Sequence, residues 1–79
     1  MVALVSAREG PVLTDASDGY YDGMRLFPDD SVTLSGTRGE RLEPSELAEG
    51  DRVEVWVGDA CAESFPVQCH IEAVRLLGP

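Results

Sequence analysis

Leu42-Glu43-Pro44-Ser45-Glu46-Leu47-Ala48-Glu49-Gly50-Asp51, followed directly by Arg52-Val53-Glu54-Val55-Trp56-Val57, is the stretch that decides the fold. Pro44 suits the first position of a helical turn, and Glu46 can reach back to the N–H groups of that turn. Leu42 can pack on Leu47 as a staple, and Gly50 supplies a left-handed stop. The next six residues alternate strictly, so Val53, Val55 and Val57 share one face of a strand while Arg52, Glu54 and Trp56 share the other. One short helical turn, over about 44–49, therefore leads into a half-buried strand.

Working outward from this junction, the chain is punctuated by Gly and Pro between short β-branched and apolar runs. Val2 to Ala7 and Val12 to Thr14 flank Glu9-Gly10-Pro11 and are read as a hairpin in preference to one bent strand. Asp15 to Gly23 is a turn-rich acidic loop. Met24 to Phe27 and Val32 to Gly36 are short strands around Pro28-Asp29-Asp30, and a polar turn follows at Thr37 to Glu40. On the other side of the junction, Gly58 to Pro66 reads as a loop and Val67 to Leu77 as the last strand. In that strand Val67, Cys69 and Ile71 face inward and Gln68, His70 and Glu72 outward. Val74 and Leu76 then continue the apolar set one position late, which implies a β-bulge near Ala73. Three strands, a short helix and two strands make a mostly β, five-stranded barrel of the oligonucleotide/oligosaccharide-binding (OB) type, in one domain over residues 1–79.

The chain has 79 residues, 43% of them hydrophobic and 27% charged, with six basic and fifteen acidic side chains for a net charge of −9. A chain this short builds a single core that buries only about 60% of its unfolded surface, so a disulfide, a metal or a partner would help it. The arginines are scattered at positions 8, 25, 38, 41, 52 and 75, while Asp15 to Asp30 holds five carboxylates against Arg25. That field repels a phosphate backbone, so nucleic acid is disfavoured as a partner. No apolar run approaches the roughly 20 residues of a membrane span. The opening Met1 to Ala7 lacks the basic region and the length of a signal peptide. The chain as written is expected in the cytoplasm; the alternative is an exported protein whose leader has been removed.

Leu47-Ala48-Glu49-Gly50-Asp51-Arg52-Val53-Glu54-Val55-Trp56 and the later string Glu63-Ser64-Phe65-Pro66-Val67-Gln68 resemble the YobA-type family of small bacterial proteins of unknown function. In that pattern a Leu-x-x-Gly-x-x-Val-x-Val-Trp strand leads into a Glu-Ser-Tyr-Pro-x-Gln loop and a final strand. Phe65 stands where the family has Tyr, and Cys61 and Cys69 are additions. The resemblance lies mainly over residues 42–77. It implies a small OB-like barrel, carried on exported or lipid-anchored proteins, with no assigned activity.

The candidate binding residues are Trp56, Glu63, Ser64, Phe65, Pro66, Gln68 and His70. Glu63 to Gln68 is either a recognition loop or a structural turn, in which Pro66 fixes the strand start, Phe65 covers the barrel mouth, and Glu63 and Ser64 cap backbone N–H groups; the structural reading is preferred. Trp56, Gln68 and His70 point outward on neighbouring strands, where an indole beside an imidazole makes a stacking platform. With no basic groove beside it, Trp56 is expected to be buried in an interface instead. Cys61 and Cys69 could form a disulfide across the final hairpin, but reduced thiols are expected in a reducing compartment. Cys61, Cys69 and His70 lack a fourth ligand and a Cys-x-x-Cys knuckle, so no metal and no cofactor is expected. Asp15 to Gly23 departs from calcium-loop spacing and reads as a solvated turn. One His on a strand face, with Cys61 or Ser64 as its imaginable partner, makes no catalytic set, so the protein is not read as an enzyme. The expected function is a non-enzymatic binding module. It contacts a protein or small ligand through the 58–66 loop and Trp56. A subunit that self-associates through exposed strand edges is the alternative, and a single-stranded nucleic acid binder is the third reading.

Overall fold

The computed structural model describes residues 1–7, 10–28, 31–63 and 66–78. Five strands form: β1 (Val2–Ser6), β2 (Val12–Thr14), β3 (Thr33–Ser35), β4 (Arg52–Ala62) and β5 (Gln68–Gly78), with single 3-10 turns at Gly19–Tyr21 and Pro44–Glu46. They make one sheet in the order β2-β1-β4-β5-β3. Every pairing is antiparallel except that of β3 with β5. This is the strand order of an OB-type barrel, and the sheet curls into a half-barrel that stays open between β2 and β3. β1 and β2 form the expected hairpin, with Val5 opposite Leu13.

The junction at residues 42–57 folds largely as its sequence dictates. The Glu43 N–H donates to Glu46 Oε2 at 2.7 Å, the reach-back that caps the turn. The turn is 3-10 and stops at Glu46, short of residue 49, because Leu47 adopts an extended conformation (φ −75°, ψ 135°) that carries its side chain into the core. Gly50 has φ +85° and serves a separate turn, in which the Asp51 N–H bonds to the Ala48 carbonyl. Beyond it Val53 and Val55 are buried, Val57 is half-buried, and Arg52 and Trp56 are exposed, as the alternation requires.

Two strand expectations change. Gly58 to Ala62, read as loop, continues β4, because Cys61 and Ala62 pair with Cys69 and Gln68 of β5 after a register shift that takes up extra β4 residues. Glycine and aspartate are poor strand formers, and here cross-strand pairing overrides that local preference. In the other direction, Met24 to Phe27 and Val32 to Gly36 shrink to a bridge between Arg25 and Val12 and to the three residues of β3. Pro28, with no N–H to donate, interrupts the run. The bulge falls where the phase slip puts it: Trp56 faces Ala73 but Val57 faces Ile71, leaving Glu72 as the extra residue, while Ile71 and Val74 both point inward.

Both lateral strands are covered over part of their length. Along β2, the Leu13 N–H bonds to the Met24 carbonyl and the Leu26 N–H to the Pro11 carbonyl. Along β3, the Leu42 N–H bonds to the Leu34 carbonyl and Arg41 bridges Ser35. Inside the curl, Val5, Leu13, Met24, Leu26, Ile71 and Val74 are the centre of the core, and no described polar side chain is buried with them. Among the described residues no helix is long and apolar enough to cross a membrane.

This arrangement separates two adjacent residues of β5. Ile71→Ala is expected to destabilise the fold by about 2–5 kcal/mol, and Glu72→Ala, at the extruded bulge position, by no more than about 0.5 kcal/mol. Urea denaturation measures both. Equal losses would show that the bulge is misplaced.

Candidate functional site

The string from Glu63 to Gln68 joins β4 to β5, and its described residues turn back onto residues 20–25. The Gln68 side chain acts as a strand in miniature. Its Oε1 accepts the Arg25 N–H at 3.1 Å, and its Nε2 donates to the Arg25 carbonyl at 3.2 Å and to the Cys69 carbonyl at 3.3 Å. One amide thus satisfies both backbone groups of Arg25, which is otherwise only bridged to β2. Next to it the Cys69 N–H donates to Met24 Sδ at 3.5 Å, a buried contact. Pro66 sits against Gly23, where an added Cβ would come within 3.0 Å of the Pro66 ring. Gly23 also holds φ +86°, so two constraints require glycine there. At the far end the Tyr20 hydroxyl donates to Glu63 Oε1 at 3.2 Å.

Three of the candidate residues, Glu63, Pro66 and Gln68, therefore converge on the segment from Tyr20 to Arg25. Ser64 and Phe65 lie outside the described residues. The hairpin carrying the string is pinned by a disulfide between Cys61 and Cys69, the bridged one of the two alternatives the sequence leaves open. The two cysteines face each other across β4 and β5, eight residues apart in the chain. Oxidation also removes Cys61 as a nucleophile for His70.

Trp56 and His70 lie away from this clasp, and Gln68 does not join them. Trp56 stands opposite Ala73 and Gln68 opposite Ala62, so five residues of β4, interrupted by register shifts, lie between the two positions. The Gln68 amide is engaged with Arg25. His70 is exposed beside Gly58, where a Cβ would meet its Cδ2 at 3.2 Å. Trp56 is 43% exposed on the outer face of the sheet; Val2, at 38%, shares that face through its pairing with Glu54, and Leu77, at 36%, is exposed at the register shift near the end of β5. On that face Val2 lies opposite Glu54, Glu54 opposite Arg75, and Leu4 opposite Arg52. Val2 and Leu77 were not singled out from the sequence; only the outward phase of their strands could have flagged them.

In the acidic loop the carboxylates serve as caps. Asp18 Oδ1 accepts the Tyr20 N–H at 3.0 Å, and Asp22 Oδ1 accepts the Ala16 N–H at 2.9 Å. Among the described residues no group of three His, Cys, Asp or Glu side chains is placed to hold a metal ion. No family model matches the chain, and comparison with curated proteins and with solved structures finds no match.

The Tyr20 phenol is held above its ordinary value of 10.0, first by desolvation against the loop and then by the negative charge and hydrogen bond of Glu63. A phenol raised in the folded state lends stability that is complete below pH 10.0 and is lost as pH rises through the folded value. Ultraviolet titration of wild type and Glu63→Gln is expected to show the Tyr20 midpoint falling toward 10.0 in the variant. An unmoved midpoint would dissolve the Tyr20–Glu63 link.

Proposed function

We propose that the protein is a non-enzymatic binding module that contacts a partner protein through the outer face of β1, β4 and β5 around Trp56. One observation carries the reading: among the described residues, Trp56 and Val2 are exposed large hydrophobic side chains on this face, and Leu77 is exposed farther along β5. Apolar residues exposed singly are ordinary, but a cluster centred on Trp with Arg beside it has the composition of an interface hot spot. Arg52 and Arg75 flank Glu54 here and exposed Glu72 lies beside Ala73, so the face carries charges of both signs around Trp56 and suits a partner that offers an apolar anchor with a mixed polar rim.

The 58–66 segment drops out of this contact surface, since its first part is strand and its described end serves the clasp onto residues 20–25. The Cys61–Cys69 bridge supports an oxidising compartment, where disulfides persist. The resemblance of residues 42–77 to exported YobA-type barrels supports the same placement. The charge of −9 weighs against a phosphate backbone on any face.

The test is a photo-crosslinking side chain placed at Ala73, opposite Trp56, in cells that make the protein, with a control at exposed Arg38. The expected result is a discrete adduct from Ala73 alone, lost on Trp56→Ser. An adduct of twice the chain's mass would replace the partner reading with self-association. Equal adducts from both positions, or none at Ala73, would refute the face.

A further inference from the structure

The end of the β4–β5 hairpin is held differently from its middle. From Val53 to Trp56 the two strands pair residue by residue, but between Val57, opposite Ile71, and Cys61, opposite Cys69, three residues of β4 face one of β5. Gly58, Asp59 and Ala60 are poor strand formers, and only His70 lies across from them. Beyond this break Cys61 pairs with Cys69 and Ala62 with Gln68, and the disulfide joins the first of these pairs. The register of the hairpin end therefore rests on the bridge more than on the ladder.

The hydrogen bonds that hold Tyr20 to Arg25 against the hairpin start from residues beside that bridge. Gln68, which takes both backbone groups of Arg25, precedes Cys69 directly, and Glu63, which accepts the Tyr20 hydroxyl, lies just past Cys61. The Cys69 N–H itself donates to Met24 Sδ. The bonds of Tyr20 and Arg25 are open to water, so they hold little once the strands that carry them are free to part. The two sulfurs differ in access, since Cys61 is half-buried and Cys69 is buried. An incoming thiolate therefore meets Cys61 first.

We propose that the Cys61–Cys69 bridge is a redox latch, which a dithiol reductant opens to release residues 20–25 from the hairpin. The thiolate of the reductant attacks Cys61 Sγ, the bond to Cys69 breaks, and Cys69 Sγ takes the electron pair and then a proton. The second thiol of the reductant then attacks the reductant's own sulfur in the mixed disulfide. That closes the reductant into a disulfide and leaves Cys61 as a thiolate that takes up a proton. The bridge gains two electrons and two protons, and the dithiol loses them. Release of Arg25 frees the segment that delivers Met24 and Leu26, both fully covered in the bridged form, and so uncovers apolar side chains there. The centre of β4, with Trp56, keeps its pairing with β5, so the latch stands or falls independently of the proposed contact face.

The test is two-dimensional amide NMR of the folded protein, oxidised and after treatment with dithiothreitol, with thiol titration to score the bridge. The dithiol is expected to reduce the bridge without denaturant. The nuclear Overhauser contact between the Gln68 side-chain amide and the Arg25 backbone is then lost, and the amides from Tyr21 to Arg25 shift or broaden while Val53 and Val55 keep their positions. Cys61→Ser is expected to give the same pattern with no dithiol present. In oxidised Gln68→Ala the amides of residues 21–25 are already displaced, and reduction moves them little further. A bridge reduced only after urea unfolds the chain, a Gln68–Arg25 contact that survives reduction, or displacement of Val53 and Val55 along with the rest would overturn the proposal. So would a reduction shift at residues 21–25 of Gln68→Ala as large as in wild type.

Discussion

The pairing of the Gln68 amide with the backbone of Arg25 is the interaction on which the rest of the structure hangs. A five-stranded sheet that curls but does not close must satisfy its two lateral strands by other means. Here Met24 to Leu26 covers β2 on one side, and the Gln68 side chain holds that same segment against β5 on the other. Each such hydrogen bond contributes only about 1 kcal/mol net. Their effect is larger than that because they fix the segment that delivers Met24 and Leu26 to the core. In a domain this small, where the folded state buries little more than half of its potential surface, losing two core side chains would leave little margin.

The disulfide belongs to the same device. It closes the hairpin that carries Glu63, Pro66 and Gln68, and bridges of this loop length stabilise a fold by about 2–3 kcal/mol, chiefly by restricting the unfolded chain. Its second effect is positional. Cys69 follows Gln68 directly, so the bridge anchors the backbone from which the clasp reaches. The division of labour that results is simple. The β4–β5 turn and the acidic loop hold each other, and the outer face of β1, β4 and β5 keeps Trp56 and Val2 uncovered.

The parts legible in the sequence are those where local signals agree. Pro44 and Glu46 mark the 3-10 turn, Gly50 a second turn before the strand, Arg52 to Val57 alternates, and the slip after Ile71 gives away the bulge, all within a window of a few residues. The parts that were not legible depend on partners far away in the chain. Glu63, Pro66 and Gln68 were recognisable as a distinctive string, and the structural reading of that string was the preferred one. That Gln68 grips Arg25, 43 residues earlier, leaves no periodic trace. The extension of β4 through Gly58 and Asp59 runs against local propensity and rests on the pairing with β5. The redox state of Cys61 and Cys69 was open because spacing alone cannot show that two strands bring them opposite each other. Trp56 was read as outward from phase alone, correctly, but its companions on that face come from other strands.

The measurement that tests the clasp most directly is amide hydrogen exchange on Gln68→Ala compared with wild type. If Gln68 holds residues 24–26 in place, the amides of Arg25, Leu13 and Leu26 lose protection while Val55, in the middle of β4, keeps it. If Arg25, Leu13 and Leu26 exchange at wild-type rates in the variant, or if protection falls uniformly across β4 as well, the clasp is not the constraint that organises this fold.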